Sequence, residues 1–106
     1  MNHIKIYEKF FHNFEIGNYV IANNSDIYIV EFENFITNNV GKIVDITLRG
    51  LRVKYNNFFI TNNISVFFDK DIYTVRNQSE IDVLRLATKE EIETQKLKNQ
   101  AAKYNL

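Results

Sequence analysis

The side chains best suited to chemistry in this chain are few and poorly grouped. His3 and His12 are the two histidines. A general base needs a partner group and a pocket that tunes it. No serine stands in a nucleophile-elbow context, so both histidines read as surface residues of an N-terminal arm. Asp69-Lys70-Asp71 offers two carboxylates, the ligand type a hard cation takes. The lysine between them and the lack of further acids nearby make this segment a hairpin turn instead. Asp26, Glu31 and Glu33 lack calcium-loop spacing. Three glycines in the whole chain cannot build a phosphate-cradling loop; Gly17, Gly41 and Gly50 read as backbone necessities at turns and bulges. Cysteine is absent, which removes disulfides, thiolate nucleophiles, zinc ribbons and iron–sulfur sites together. The expectation is a chain with no catalytic, cofactor-binding or metal-binding residues.

One constellation remains. Lys42, Arg49, Arg52 and Lys54 cluster on a central hairpin, with Tyr55, Phe58 and Phe59 just beyond. Strand alternation in Leu51-Arg52-Val53-Lys54-Tyr55 turns Arg52 and Lys54 away from the apolar face. Basic side chains beside exposed aromatics can hold single-stranded nucleic acid through phosphate contacts and base stacking. The competing reading is a solvated strand face above core aromatics. Asp45 and a formal net charge of zero, from 13 basic and 13 acidic residues, favour that reading.

The elements that must position these residues are short. Residues 14–22 read as a strand, and Asn23-Asn24-Ser25-Asp26 as a turn. Phe32, Phe35 and Ile36 fall at i, i+3 and i+4, predicting a short helix that ends at Thr37-Asn38-Asn39, with Asn in a left-handed closing position. Val40 to Leu48 is a strand, Arg49-Gly50 the hairpin turn, and Leu51 to Tyr55 its partner. Ile64 to Phe68, Asp71 to Val75 and Ile81 to Leu86 are further strands. Thr88-Lys89-Glu90-Glu91 forms a capping box, in which Thr88 and Glu91 satisfy each other's backbone N–H. It opens a helix that runs to about Lys103. Ile92, Leu97, Ala101 and Tyr104 form no tight stripe, so most of this helix is expected to be solvated or to await a partner. The core is expected from Ile16, Tyr19, Val20, Ile43, Ile46, Val53, Tyr55, Val66, Phe68, Ile72, Val83 and Leu84.

Five or six short strands in 106 residues predict one mainly β domain with peripheral helices. Its parts are an arm over 1–13, a small barrel over 14–87 with a short inserted helix, and a helical tail over 88–106. The runs Ile16-Gly17-Asn18-Tyr19-Val20, Val40-Gly41-Lys42-Ile43-Val44-Asp45-Ile46 and Leu51-Arg52-Val53-Lys54-Tyr55 resemble the rhythm of SH3-like small barrels of the KOW and Tudor-like kind. Asn18 stands where Asp is more common in them. The close of the chain, Leu84-Arg85-Leu86-Ala87-Thr88-Lys89-Glu90-Glu91-Ile92, is similar to that of small phage proteins of uncharacterised role. The resemblance implies a fold that hosts nucleic-acid binding, peptide binding, methyl-lysine binding or assembly, and does not choose among them.

Composition narrows the choice. Asn, Ile, Lys, Phe and Tyr are abundant while Pro and Trp are missing, which fits an A/T-rich genome such as that of a low-GC bacterium or its phage. No apolar run approaches the ~20 residues of a membrane span. The first residues lack a signal-peptide pattern. The reading is a non-enzymatic interaction or assembly module in the cytoplasm of a bacterium or infected cell, or in a virion. Its partner is another protein or a second copy of itself, with no membrane involved. The alternative is a nucleic-acid-binding barrel using the 42–55 hairpin. An enzyme or a small-ligand sponge ranks last.

Overall fold

A computed structural model describes residues 14–23, 29–76 and 78–104. The expected arm over 1–13, with His3 and His12, and most of the turn expected at 23–26 lie outside these residues. The described chain is a five-stranded antiparallel sheet accompanied by three α-helices. The elements are β1 (Tyr19–Ala22), α1 (Val30–Asn38), β2 (Gly41–Thr47), β3 (Gly50–Lys54), β4 (Ile72–Val75), α2 (Gln78–Asp82), β5 (Leu84–Leu86) and α3 (Lys89–Tyr104). The strand order is β4-β3-β2-β1-β5. Four strands form a meander, and the fifth returns to pair with the first. Among the described residues β4 and β5 do not pair with each other, so the sheet stays open.

The register sorts side chains to two faces. Ile43 faces Val53, which faces Tyr73, and Leu51 faces Val75, all toward the core. Lys42 faces Lys54, and Asp45 faces Arg52, on the opposite side. A bulge between Ile43 and Asp45 reverses the alternation and bends β2. The inner face is covered by α1, whose Phe32, Phe35 and Ile36 are buried as their spacing requires. Phe32 packs on Phe67 at 4.5 Å and on Tyr73 at 4.9 Å, and Phe35 meets Tyr55 edge-on at 5.1 Å. Aromatic pairs at these separations add to the burial term.

Several expectations need correction. Ile64 to Phe68 is not a strand; Ser65–Phe67 is a 3-10 turn. Ile64, Phe67 and Phe68 pack inward while Val66 is 77% exposed. Those inward positions have the i, i+3, i+4 spacing of a helical turn, not alternation. The first strand begins at Tyr19, because Asn18 closes a turn whose side-chain oxygen accepts the N–H of Glu15 at 2.8 Å. Ile16 is therefore 61% exposed and outside the core. Ile81 belongs to α2, so the last strand shortens to Leu84–Leu86. Asn39 is extended rather than left-handed. Its amide instead donates to Phe35 O at 3.0 Å and satisfies a helix-end carbonyl. Gly41 sits within a strand, and a methyl group there would meet Val53 Cγ1 at 2.5 Å and the Tyr55 ring at 2.8 Å. Asp69-Lys70-Asp71 is the expected turn, closed by paired backbone bonds between Asp69 and Ile72, with Lys70 at φ +63°.

The strand–helix junction has the predicted cap. Thr88 N donates to Glu91 Oε1 at 2.8 Å, and Glu91 N donates to Thr88 Oγ1 at 3.1 Å. The Arg85 guanidinium adds a two-pronged bond to the same carboxylate, both contacts at 2.7 Å. This bond first, and the Thr88 N–H second, push the Glu91 carboxyl down to about 2 from its ordinary 4.5. A depressed folded-state pKa means that the stabilisation is full above pH 4.5 and disappears as pH falls toward 2. Thr88→Ala should lower stability by about 1 kcal/mol at neutral pH. The gap in denaturant midpoint between the wild type and Glu91→Gln should close over the same acid window. A gap independent of pH there would contradict the bond.

Candidate functional site

The expected tail is not a loose appendage. Gln95, buried at mid-helix, accepts the N–H of Val40 through Oε1 at 2.8 Å and donates to Asn99 Oδ1 at 2.9 Å. Lys98 Nζ donates to Asn38 O at 2.8 Å and lies 5.5 Å over the Phe59 ring. Ala102 is also buried. Val40 N stands just past α1 and before β2, where a buried N–H needs an acceptor. A glutamine supplies it from 55 residues away. α3 is thereby fixed against the open end of the β2–β3 hairpin along one narrow face, while most of its residues are exposed, as expected.

Docking α3 there splits the basic hairpin into two hollows. The first, about 270 Å³, lies between α3 and the outer face of β1–β3. It holds Lys42, Lys54 and Lys96, with Tyr19, Ile92 and Tyr55 as apolar walls and Gln95, Asn56 and Asn99 as amides. Among the described residues no carboxylate lines it. Lys54 and Asp71 approach only to 3.8 Å, and Lys96 and Glu93 to 3.9 Å. Lys42 stands 5.9 Å over the Tyr19 ring. Burial pushes the Tyr55 hydroxyl well above its ordinary range, so it stays protonated.

The second hollow, about 680 Å³, sits at the hairpin tip. Arg49, Arg52 and Arg76 line it with Asp45 and Asp69, and the exposed Leu48 forms part of its wall. Of the six residues singled out from sequence, Lys42 and Lys54 thus come together as a cross-strand pair, while Arg49 and Arg52 share the other hollow. Phe58 and Phe59 lie on a 3-10 turn over Asn57–Phe59, edge-on to each other at 5.3 Å. Phe58 is exposed, whereas Phe59 packs against the core beneath Lys98. They therefore do not form a two-ring stacking platform. The sequence reading missed Arg76, Lys96 and Gln95. No local signal marks them, because each joins its hollow through tertiary contact.

The outer face of α3 is a third feature. At 100° per residue, Glu90, Glu93, Leu97, Ala101 and Tyr104 lie opposite Gln95 and Ala102. Leu97 is 66% exposed and Tyr104 79%. This stripe emerges once the buried side of the helix is known; Ile92 belongs to the docked side and obscured it in the sequence.

No group of three or more histidine or acidic side chains able to hold a metal occurs among the described residues, and none of their helices is long and apolar enough to cross a membrane. No protein-family model, curated protein or solved structure matches the chain.

Proposed function

We propose that this chain is a non-enzymatic assembly module, an SH3-like small barrel left open between β4 and β5, that pairs with a second copy of itself through α3. The observation that carries the reading is the outward stripe of Leu97, Ala101 and Tyr104 on a helix whose other side is already anchored. The meander with its returning fifth strand and the bend in β2 support the barrel-like scaffold.

Self-complementarity argues for a second copy as the occupant. The outward face begins with Glu90 and Glu93 and ends in the phenol of Tyr104, while Lys103 stands about 120° round the helix from that face. An antiparallel pair about a two-fold axis near Leu97 sets Leu97 on Leu97. It brings Glu90 of each helix beside Tyr104 of the other, whose hydroxyl can donate to the carboxylate. Such isologous contacts are the commonest route to symmetric dimers. A single 16-residue helix pair is a small interface, so the dissociation constant should be on the order of 10 μM, near 7 kcal/mol. Light scattering across that concentration range should show the mass doubling for the wild type. Leu97→Asp, a change at an exposed site, should stay monomeric with its unfolding midpoint kept. A wild type that remains monomeric throughout would overturn the reading.

A nucleic-acid module is the second reading. The observation in its favour is the convergence of Arg49, Arg52 and Arg76 on one open hollow. Asp45 and Asp69 in that hollow, and the neutral chain, weigh against it.

A further inference from the structure

The hollow between α3 and the β2–β3 hairpin is assembled at a cost that the fold does not require. Lys42 and Lys54 are directly opposed in the register, and like charges in that relation destabilise a sheet. α3 then adds a third cation, Lys96, to the same hollow. Each lysine's neutralising contact is long or lies outside: 3.8 Å to Asp71, 3.9 Å to Glu93, and a ring face for Lys42. The tip hollow, by contrast, mixes its arginines with two aspartates.

Tyr55 closes the hollow from the core side as a buried ring, packed against Phe35 and Phe68. Three cations and, among the described residues, no lining carboxylate favour an anion that accepts several hydrogen bonds. The walls add an apolar requirement: Tyr19 and Ile92 flank the lysines. At about 270 Å³ the space suits a phosphoryl group with one ring attached, and not a drug-sized ligand.

We infer that this hollow binds a small aromatic phosphomonoester, with its phosphoryl group between Lys42, Lys54 and Lys96 and its ring against Tyr19 and Ile92. The phosphoryl oxygens accept charge-assisted bonds from the ammonium groups, the strongest class of hydrogen bond available to a solvent-facing site. The site lies on the side of α3 away from Leu97, so it does not depend on the pairing proposed above.

The test is calorimetric titration of the full chain with phenyl phosphate, inorganic phosphate and phenol. Phenyl phosphate should bind saturably, inorganic phosphate about tenfold more weakly, and phenol not at all. Lys42→Gln and Lys96→Gln change exposed side chains, and each should weaken phenyl phosphate about tenfold, the worth of one charge-assisted bond. In the absence of ligand, Lys42→Gln should raise the thermal midpoint by relieving the opposed charges. Phenyl phosphate should raise the midpoint of the wild type more than that of the variant. Equal affinity for phenyl phosphate in the wild type and both lysine variants would overturn the proposal, as would no saturable binding at millimolar ligand. Phenyl and inorganic phosphate binding alike would remove the aromatic part of it. Leu97→Asp should bind phenyl phosphate like the wild type, which keeps this test separate from that of pairing.

Discussion

Val53→Asp should leave the chain without a cooperative unfolding transition. Val53 is fully buried between Ile43 on β2 and Tyr73 on β4, and the cluster around it is hydrophobic. A carboxylate there finds no cation, and the alternative of protonating it still leaves buried polar atoms without partners. The cost is several kcal/mol. A domain of this size is stable by only about 5–15 kcal/mol in total. Circular dichroism during urea titration checks the outcome. Arg52→Ser, one residue away and on the other face, should unfold cooperatively near the wild-type midpoint. A folded Val53→Asp variant would mean that the β2–β3 register is wrong by one residue, because a slip of one exchanges the two faces.

Gly50→Ala should come close in severity, for a different reason. Gly50 opens β3 at φ +144°, a conformation L residues rarely adopt. An added Cβ would also collide with the carbonyl oxygen of Val75 and stand 3.0 Å from its carbonyl carbon. That carbonyl belongs to the strand paired with β3, Leu51 facing Val75, so it cannot retreat without breaking the ladder. Gly17 supplies the control: its φ is +98° but nothing lies within 4 Å of a Cβ there. Gly17→Ala should cost only the backbone term, about 1–2 kcal/mol. Gly50→Ala should cost clearly more, with the β3–β4 amides losing hydrogen-exchange protection first. Equal losses in the two variants would show that torsion alone matters at Gly50.

The parts of this fold that can be read from sequence are those fixed by local chemistry. The 40–55 hairpin is legible because Leu51, Val53 and Tyr55 alternate after a turn signal, although the turn falls at Leu48-Arg49 with Gly50 already paired to Thr47, one residue earlier than expected, and the bulge between Ile43 and Asp45 leaves no mark in the pattern. The start of α3 is legible because Thr88 and Glu91 satisfy each other's backbone groups without help from elsewhere. Segment 64–68 misleads because Ile64, Val66 and Phe68 alternate while Ile64, Phe67 and Phe68 match a helical turn. The rings of α1 decide between them: Phe32 packs on Phe67 and Phe68, which leaves Val66 to solvent.

The candidate surfaces follow the same division. Lys42 and Lys54 are legible as a basic pair because they sit on one legible hairpin. Lys96 joins them only after Gln95 crosses the chain to Val40, and Arg76 joins Arg49 and Arg52 only after β4 pairs with β3. The outward stripe on α3 was hidden for the same reason. Until Gln95 is known to be buried, nothing in the sequence says that a polar residue marks the inner side of the helix.

The antiparallel pairing of α3 is tested most directly by a single introduced thiol. The chain has no cysteine, so Leu97→Cys carries one reactive group at the position nearest the proposed two-fold axis. A disulfide forms only where the two Cα atoms come within about 7 Å. Under mild oxidation at concentrations that populate the dimer, Leu97→Cys should convert to a covalent dimer on a non-reducing gel, while Lys89→Cys, at the far end of the same helix, should stay monomeric. Equal cross-linking of the two variants, or none of Leu97→Cys under those conditions, would contradict the pairing.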